Sequence, residues 1–361
     1  MGSVRRARVT AGQLHVVVPG PLEQLTGGYV YDARMVTGLK ELGWRVDVHN
    51  LPGRFPHADR VAREALSTTL GSLPDGARVI IDGLAMGSLP GPIEAHGDRL
   101  RILSLVHHPL AEETGLSAAD RTRFHDSERR ALRPCAGVIV SSDFTARCLV
   151  AYQVPVDRIR VVVPGTEPAR PASGPGPEKP PALLCVASVT PRKGHDVLIA
   201  ALERLRDLDW TCTCVGGLDR DPRHAEAVLQ GAASAGLADR IDFVGERAGD
   251  LLDELYHRSS VFVLASHYEG YGMALAEALA RGLPVVSTTG GAIPFTVPAD
   301  AGVLVEPGDA SSLADALRTV LDPRSTVRAD LASGARRHAE ALPSWHDAVA
   351  AFAVAVDELT R

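Results

Sequence analysis

The sequence predicts an α/β protein made of two doubly wound halves, each a parallel sheet covered by helices on both faces. Three observations carry this. Short β-rich runs alternate with helical stretches along both halves of the chain, the pattern of successive βαβ units. The strand runs are almost continuously apolar, as suits a sheet buried on both faces. One break, from Pro164 to Pro181, holds seven prolines in eighteen residues, which excludes helix and interior strand and reads as a semi-rigid linker. At 361 residues the chain is long enough for two ordinary cores. The expected organisation is a first half over 1–166, the linker over 167–181 and a second half over 182–344, with a last helix over 345–361 packing back on the first half.

In the first half, Val9 to Gly20 reads as the opening strand. "YDARMVTGLKELG" follows as a helix with Met35, Leu39 and Leu42 at helical spacing, closed by Gly43. "RVDVHNL", "ARVIIDGL" and "RILSLVHH" are strands, "HDSERRALRPC" is helical and "GVIVSS" is a strand. "DFTARCLVAYQ" begins a helix capped by Ser142 or Asp143, and "RIRVVVPG" is the last strand. The second half repeats the alternation: "ALLCVASV", "HDVLIAALERLRDL", "TCTCVGG", "HAEAVLQGAASAG", "RIDFVG", "LLDELYHRS", "VFVLAS" and "GVLVEP". In such sheets ligands sit beyond the carboxyl ends of the strands, so two facing halves would enclose one cleft.

Composition narrows the class. Hydrophobic residues make up 45% and charged residues 23%, the profile of a soluble globular protein. The basic N-terminus leads into an apolar run too short for a signal peptide, and no stretch reaches the ~18 apolar residues of a membrane span. A cytoplasmic protein is expected, one compatible with peripheral membrane contact. The five cysteines show no CxxC spacing, and Cys212 and Cys214 alternate with threonines on one strand face, as small buried residues do. This supports no disulfide framework and no zinc site. Residues 1–163 hold 20 Lys and Arg against 17 Asp and Glu, and residues 164–361 hold 18 against 27. With no basic run or aromatic-rich platform, nucleic acid is excluded as a partner.

The chemistry concentrates in "SHYEGYGMALAEALARGLPVVSTTGG", Ser266 to Gly291. A buried strand ends in a loop with two glycines in three residues, Gly270-Tyr271-Gly272, and a helix begins near Met273 and ends at Arg281 before Gly282 and Pro284. Amides around Gly272, Met273 and Ala274 open that helix and favour a phosphate. Glu269 precedes the loop, and Glu277 lies one turn into the helix. Two carboxylates flanking a glycine loop suit a ligand rich in hydroxyl groups.

Three further segments add to this. Lys193, in "PRKG", is one of three lysines against 35 arginines; beside Arg192 and before Gly194 at a helix start, it is a compact point charge worth notice. His107 and His108 end a strand and point opposite ways, so one faces the ligand side. Gly27-Gly28, after the first strand, lets backbone N–H groups approach an anion.

Glu269 and Glu277 resemble the E-x7-E signature of retaining GT-B glycosyltransferases of glycosyltransferase family 4. The wider string from Ser266 to Thr288 is similar to that family's strand-loop-helix-strand unit, and the likeness extends over Gly27-Gly28, "VHH", "PRKG" and "VLVEPGD". It implies a GT-B architecture of two Rossmann-like domains. Glu277 would grip the nucleotide ribose, Glu269 would contact the sugar beside the reaction centre, and Gly270 to Ala274 would hold the diphosphate and sugar. Arg192 and Lys193 would stabilise the leaving group, and His107 or His108 would lie close to the transferred sugar, with His107 favoured by the strand end. Family members carry Gly-Arg about five residues before the lysine, whereas here Ala187-Ser188 stands there and Arg192 would take that guanidinium's part. The "GGAIP" loop suits the donor neighbourhood, with Phe295 where relatives place a glutamate.

The resemblance thus implies a retaining glycosyltransferase that needs no metal and no separate cofactor. Its substrate would be a nucleoside-diphosphate sugar of UDP or GDP type, and its acceptor a small metabolite, a saccharide or a lipid. Closure of the halves would exclude water from the donor. Two alternatives use the same residues: another GT-B enzyme, such as a nucleotide-sugar epimerase or a phosphorylase, and a catalytically silent binding protein. An acceptor requirement separates transferase from epimerase, and phosphorolysis without nucleotide marks the phosphorylase. Retention of Glu269, Glu277, Lys193 and the strand-end histidine speaks against the silent protein.

Overall fold

The computed structural model describes residues 12–176 and 178–361. The chain divides into two compact units: the first comprises the described residues up to Gly165 together with Pro343–Arg361, the second Thr166–Leu342.

The first unit runs β1 (Gln13–Pro19), α1 (Gly27–Glu41), β2 (Arg45–Leu51), α2 (Arg60–Ser72), β3 (Arg78–Asp82), α3 (Gly83–Met86), α4 (Pro90–His96), β4 (Arg101–Val106), α5 (Ala118–Leu132), β5 (Gly137–Val140), α6 (Asp143–Cys148) and β6 (Ile159–Val161). The second runs β7 (Ala182–Val186), α7 (His195–Glu203), β8 (Thr211–Val215), α8 (Pro222–Ser234), β9 (Ile241–Gly245), α9 (Gly249–His257), β10 (Val261–Leu264), α10 (Met273–Ala280), β11 (Val285–Thr288), α11 (Ile293–Thr296), β12 (Gly302–Val305), α12 (Ala310–Leu321) and α13 (Val327–Ala339). The final helix, α14 (Trp345–Leu359), returns to the first unit and packs on α1, where Gly38 lies directly against Val349.

Each unit is a six-stranded sheet whose strand pairings are parallel, ordered β2-β1-β3-β4-β5-β6 in the first and β12-β11-β10-β7-β8-β9 in the second. Strand order reverses at β1/β3 and at β7/β10, and such switch points open a crevice at the strands' carboxyl ends. Burial on both faces explains the apolar strands. In the second unit Leu183, Leu184, Phe262 and Val285 pack among Leu198, Leu202, Leu275 and Leu279 of the helices. In the first, Val17, Ile81 and Ile102 meet Leu66, Leu70 and Ile93.

The elements depart locally from the sequence expectation. The opening strand begins at Gln13, and Val9–Ala11 lie outside the described residues. α5 starts at Ala118, ahead of the expected "HDSERRALRPC", because Ser117 accepts the Asp120 N–H as its cap. α6 is capped by Ser142, which accepts from Thr145 N, and not by Asp143. "RIRVVVPG" pairs only over Ile159–Val161. The proline-rich segment is bonded to the second unit: Ala172 N donates to Arg281 O and Ser173 N to His257 O, each at 2.8 Å. No helix among the described residues is long and apolar enough to cross a membrane.

Candidate active site

The second unit's crevice is built from the loops after β7 and β10, the two strands at its switch point. After β7, Pro191–Lys193 forms one 3-10 turn ending at Gly194, whose φ of +64° is the left-handed region. A Cβ on Gly194 would stand 2.1 Å from the Ala265 carbonyl oxygen. Only glycine lets this turn approach the end of β10 so closely. The approach is then bonded, since His267 N donates to Arg192 O at 2.8 Å.

Glu269 is consequently held within reach of both cations. Lys193 Nζ donates to its Oε1 at 2.5 Å, Ser266 Oγ to the same oxygen at 2.7 Å, and Arg192 lies 3.5 Å from Oε2 while donating to Tyr268 O at 2.8 Å. The Glu269 side chain is 8% exposed and that of Lys193 17%. Burial by itself raises a carboxyl pKa, but here the Lys193 and Arg192 charges, with the Lys193 and Ser266 hydrogen bonds, outweigh it and hold Glu269 at about 2. Glu269 is thus a permanent carboxylate at neutral pH, and the three charges sum to one net positive charge beside the α10 start. On the far side, Ala292 N donates to Glu269 O at 2.8 Å and Gly291 forms a parallel bridge with Glu269. The "GGAIP" loop therefore buttresses Glu269 from below, while Phe295 is 52% exposed.

α10 opens behind Gly272, at φ +91°. Its first-turn amides, at Met273 and Ala274, have no carbonyl a turn behind them inside the helix, so they point toward the loop of Gly270 and Tyr271 with the positive end of the helix dipole. Glu277, half-buried, sits one turn further on and accepts from Tyr256 Oη at 2.9 Å. Tyr256 is fixed in turn by Arg281, whose guanidinium lies 4.4 Å from the ring centroid and donates to Asp253 at 2.8 Å.

The other expected site residues belong to the second unit, and Gly27, Gly28, His107 and His108 belong to the first. There His107 is the histidine turned into a cluster. Its Nε2 is 3.0 Å from Asp32 Oδ1 and 3.5 Å from Asp82 Oδ2. His108 turns the other way, 3.4 Å from Glu113. Burial lowers the His107 pKa, but the Asp32 charge and hydrogen bond, with Asp82, more than reverse this and raise it. Burial and the Asp32 charge push Asp82 up to about 7, against the opposing pull of His107.

Asp32 and Asp82 were not singled out from the sequence. Asp32 stands three residues before Met35 on the face that carries Met35 and Leu39, a carboxylate where an apolar residue belongs. Asp82 ends an apolar strand. Tyr256 and Ser266 carried no comparable signal.

Among the described residues, two trios place ligand-type atoms within 4.8 Å of one another: Cys185, His195 and Cys214, and Asp32, Asp82 and His107. In the first, both thiols have pKa values raised well above the usual range, Cys185 chiefly by its contact with Cys214 and by burial, so they are neutral in the core. The second is paired within itself, imidazole against carboxylates.

Two parallel six-stranded α/β units of this kind define the GT-B class of fold. Sucrose-phosphate synthase from Thermosynechococcus elongatus superposes with a TM-score of 0.78 over 94% of this chain and 96% of its own, at 21% identity. HepE from Anabaena, in a structure with UDP-glucose, gives 0.68 over 92% and 96% at 17% identity. More particularly, residues 180–323, which hold Arg192, Lys193, Glu269 and Glu277, match the family described as Glycosyl transferases group 1. The D-inositol 3-phosphate glycosyltransferase of Salinispora arenicola is 35% identical over 215 residues, 52% of this chain and 47% of that protein. The match spans about half the length of that relative.

Proposed function

We propose that this chain is a retaining glycosyltransferase that moves a sugar from a nucleoside-diphosphate sugar to a hydroxyl-bearing acceptor without a metal ion. The observation that carries the reading is the Lys193–Glu269 pair at the β7/β10 switch point, inside the segment similar to group 1 glycosyl transferases. Lys193, Arg192 and the α10 amides supply positive charge where the departing diphosphate would develop negative charge, an arrangement worth several kcal/mol when preorganised. Glu269, permanently ionised and locked by three donors, is suited to accept from a sugar hydroxyl. Glu277, presented by Tyr256, is suited to the ribose hydroxyls. Retention is carried over from the E-x7-E resemblance, as is the division of roles between the two glutamates.

The donor would bind in the second unit, and acceptor recognition is assigned to the first. HepE's structure holds UDP-glucose and several relatives are named as inositol 3-phosphate glycosyltransferases, so UDP sugars and anionic polyols are the substrates to try first. The test begins with thermal shifts on the purified chain against UDP, GDP, ADP and dTDP, for wild type and Glu277→Ala. A shift with one nucleotide, lost in the variant, supports the reading and selects the donor for an acceptor screen. No shift with any of the four counts against it.

A further inference from the structure

We propose that Asp32 and Asp82 are positioning residues that commit Nε2 of His107 and present the imidazole through Nδ1 as a hydrogen-bond donor to an oxygen-rich ligand, a sugar hydroxyl or a phosphoryl oxygen. The part in turnover rests on the glycosyl-transfer reading; the geometry and charge do not.

Both carboxylates approach the same ring nitrogen, at 3.0 and 3.5 Å. The nearer, Asp32, presents a carboxylate oxygen, which only accepts, so the Nε2 atom that meets it carries the proton. That edge is also sealed. α1 passes close by, and a Cβ on Gly28 would lie 3.0 Å from His107 Cδ2 and 3.4 Å from Nε2, a tight contact with the ring. The ring is 20% exposed, and the edge left for a ligand carries Nδ1.

The charge of the ring follows from its neighbours. The titratable groups facing it are Asp32 and Tyr31 from α1, Tyr31 edge-on at 5.4 Å, and Asp82 from β3. Tyr31 stays neutral, its pKa raised by burial, and its hydroxyl donates to Val162 O at 3.0 Å. On β4's own continuation His108 pairs with Glu113, β5 leads into Ser141, whose hydroxyl reaches the His107 carbonyl, and α14 contributes Trp345 and Phe352, which pack on Tyr31. The Asp32 carboxylate, helped by Asp82 where that group is ionised, and no other cation among these groups favour the imidazolium, in keeping with its raised pKa. An imidazolium with Nε2 committed donates through Nδ1. It does not accept a proton, so His107 acts by binding charge or hydroxyl and not as a general base.

The experiment is a pH titration of the full chain, 15N-labelled at histidine, followed by NMR, with His107→Gln assigning the resonance. Wild type is expected to show a midpoint above the ordinary ~6.5, with the proton on Nε2 in the neutral form. Asp32→Asn should lower the midpoint by at least one unit, a tenfold loss of proton affinity. Asp82→Asn, whose amide oxygen can still cap Leu84 N, should lower it by a smaller step. The falling limb of donor turnover with pH should move with the midpoint in Asp82→Asn, while KM for the nucleotide sugar stays within about twofold. An unmoved midpoint in the variants, a neutral form protonated on Nδ1, or broadening of the resonance by equimolar Mn2+ would overturn the assignment. Should Asp32→Asn fail to fold, Asp82→Asn and the wild-type tautomer decide. Absence of turnover with UDP-glucose and GDP-mannose would sink the enzymatic reading alone, because midpoint and tautomer are read without it.

Discussion

Lys193 Nζ and Glu269 Oε1 meet at 2.5 Å across 76 residues of sequence, joining the loop after β7 to the loop after β10. The pair is partly buried, so its desolvation is expensive and its attraction strong, and removal of one partner leaves an uncompensated charge. This makes it at once a structural clamp and a charged surface for a ligand.

Glu269→Gln keeps the shape of the clamp and removes its charge. Turnover should fall by about 10²- to 10³-fold, while UDP or GDP affinity, measured by calorimetry, should stay within about threefold. Equal losses in both would contradict the separation of roles between Glu269 and Glu277.

Glu277→Ala and Tyr256→Phe test the second carboxylate. The first should weaken the nucleotide by about tenfold or more, and the second by a smaller factor, since one hydrogen bond to a charged group is worth roughly 1.5–3 kcal/mol and water can replace part of it. A Tyr256→Phe protein with wild-type affinity would show that Glu277 needs no such support.

Gly194→Ala should cost at least ~2 kcal/mol, because the left-handed backbone penalises any side chain and the Ala265 carbonyl occupies the space of its Cβ. The variant should also lose activity out of proportion to its stability, as the turn bearing Lys193 is displaced from Glu269. Urea unfolding of the second unit, paired with initial rates, checks both.

The two units should answer pH with opposite signs. Glu269 is held at about 2, below its unfolded value near 4.3. Its contribution is present above that value and lost as pH falls from there through 2, on the order of 3 kcal/mol. In the first unit Glu128 is raised by burial to about 7, while its oxygens accept from Leu110 N at 2.8 Å and Ala111 N at 3.4 Å. A raised carboxyl lowers stability as pH climbs from the unfolded value toward 7, and Asp82 acts in the same direction. Calorimetry of Glu128→Gln should therefore show a shallower decline in the first unit between pH 5 and 7.5, with the acid limb of the second unit untouched. An unchanged decline would remove Glu128 from the account.

Much of this architecture was legible locally. The alternation of apolar strands and helices, the linker prolines and the Glu269–Glu277 spacing depend on neighbours within a turn or two, where periodicity and capping act. Asp32 could have been read as well, from its place on the apolar face of α1 beside Met35 and Leu39. Element ends were less legible, as at α5, where a single serine cap moved the start ahead of the apolar signal.

By itself, then, the sequence determined two doubly wound halves and the strand-loop-helix that carries the two glutamates. Tertiary structure alone decided which strand lies beside which, and with it that Lys193 meets Glu269 and that His107 turns to Asp32 and Asp82. The physical reason is one of range. Local propensity acts over a few residues, whereas these partners are brought together by strand order, and strand order is settled only when both faces of a whole sheet are buried at once.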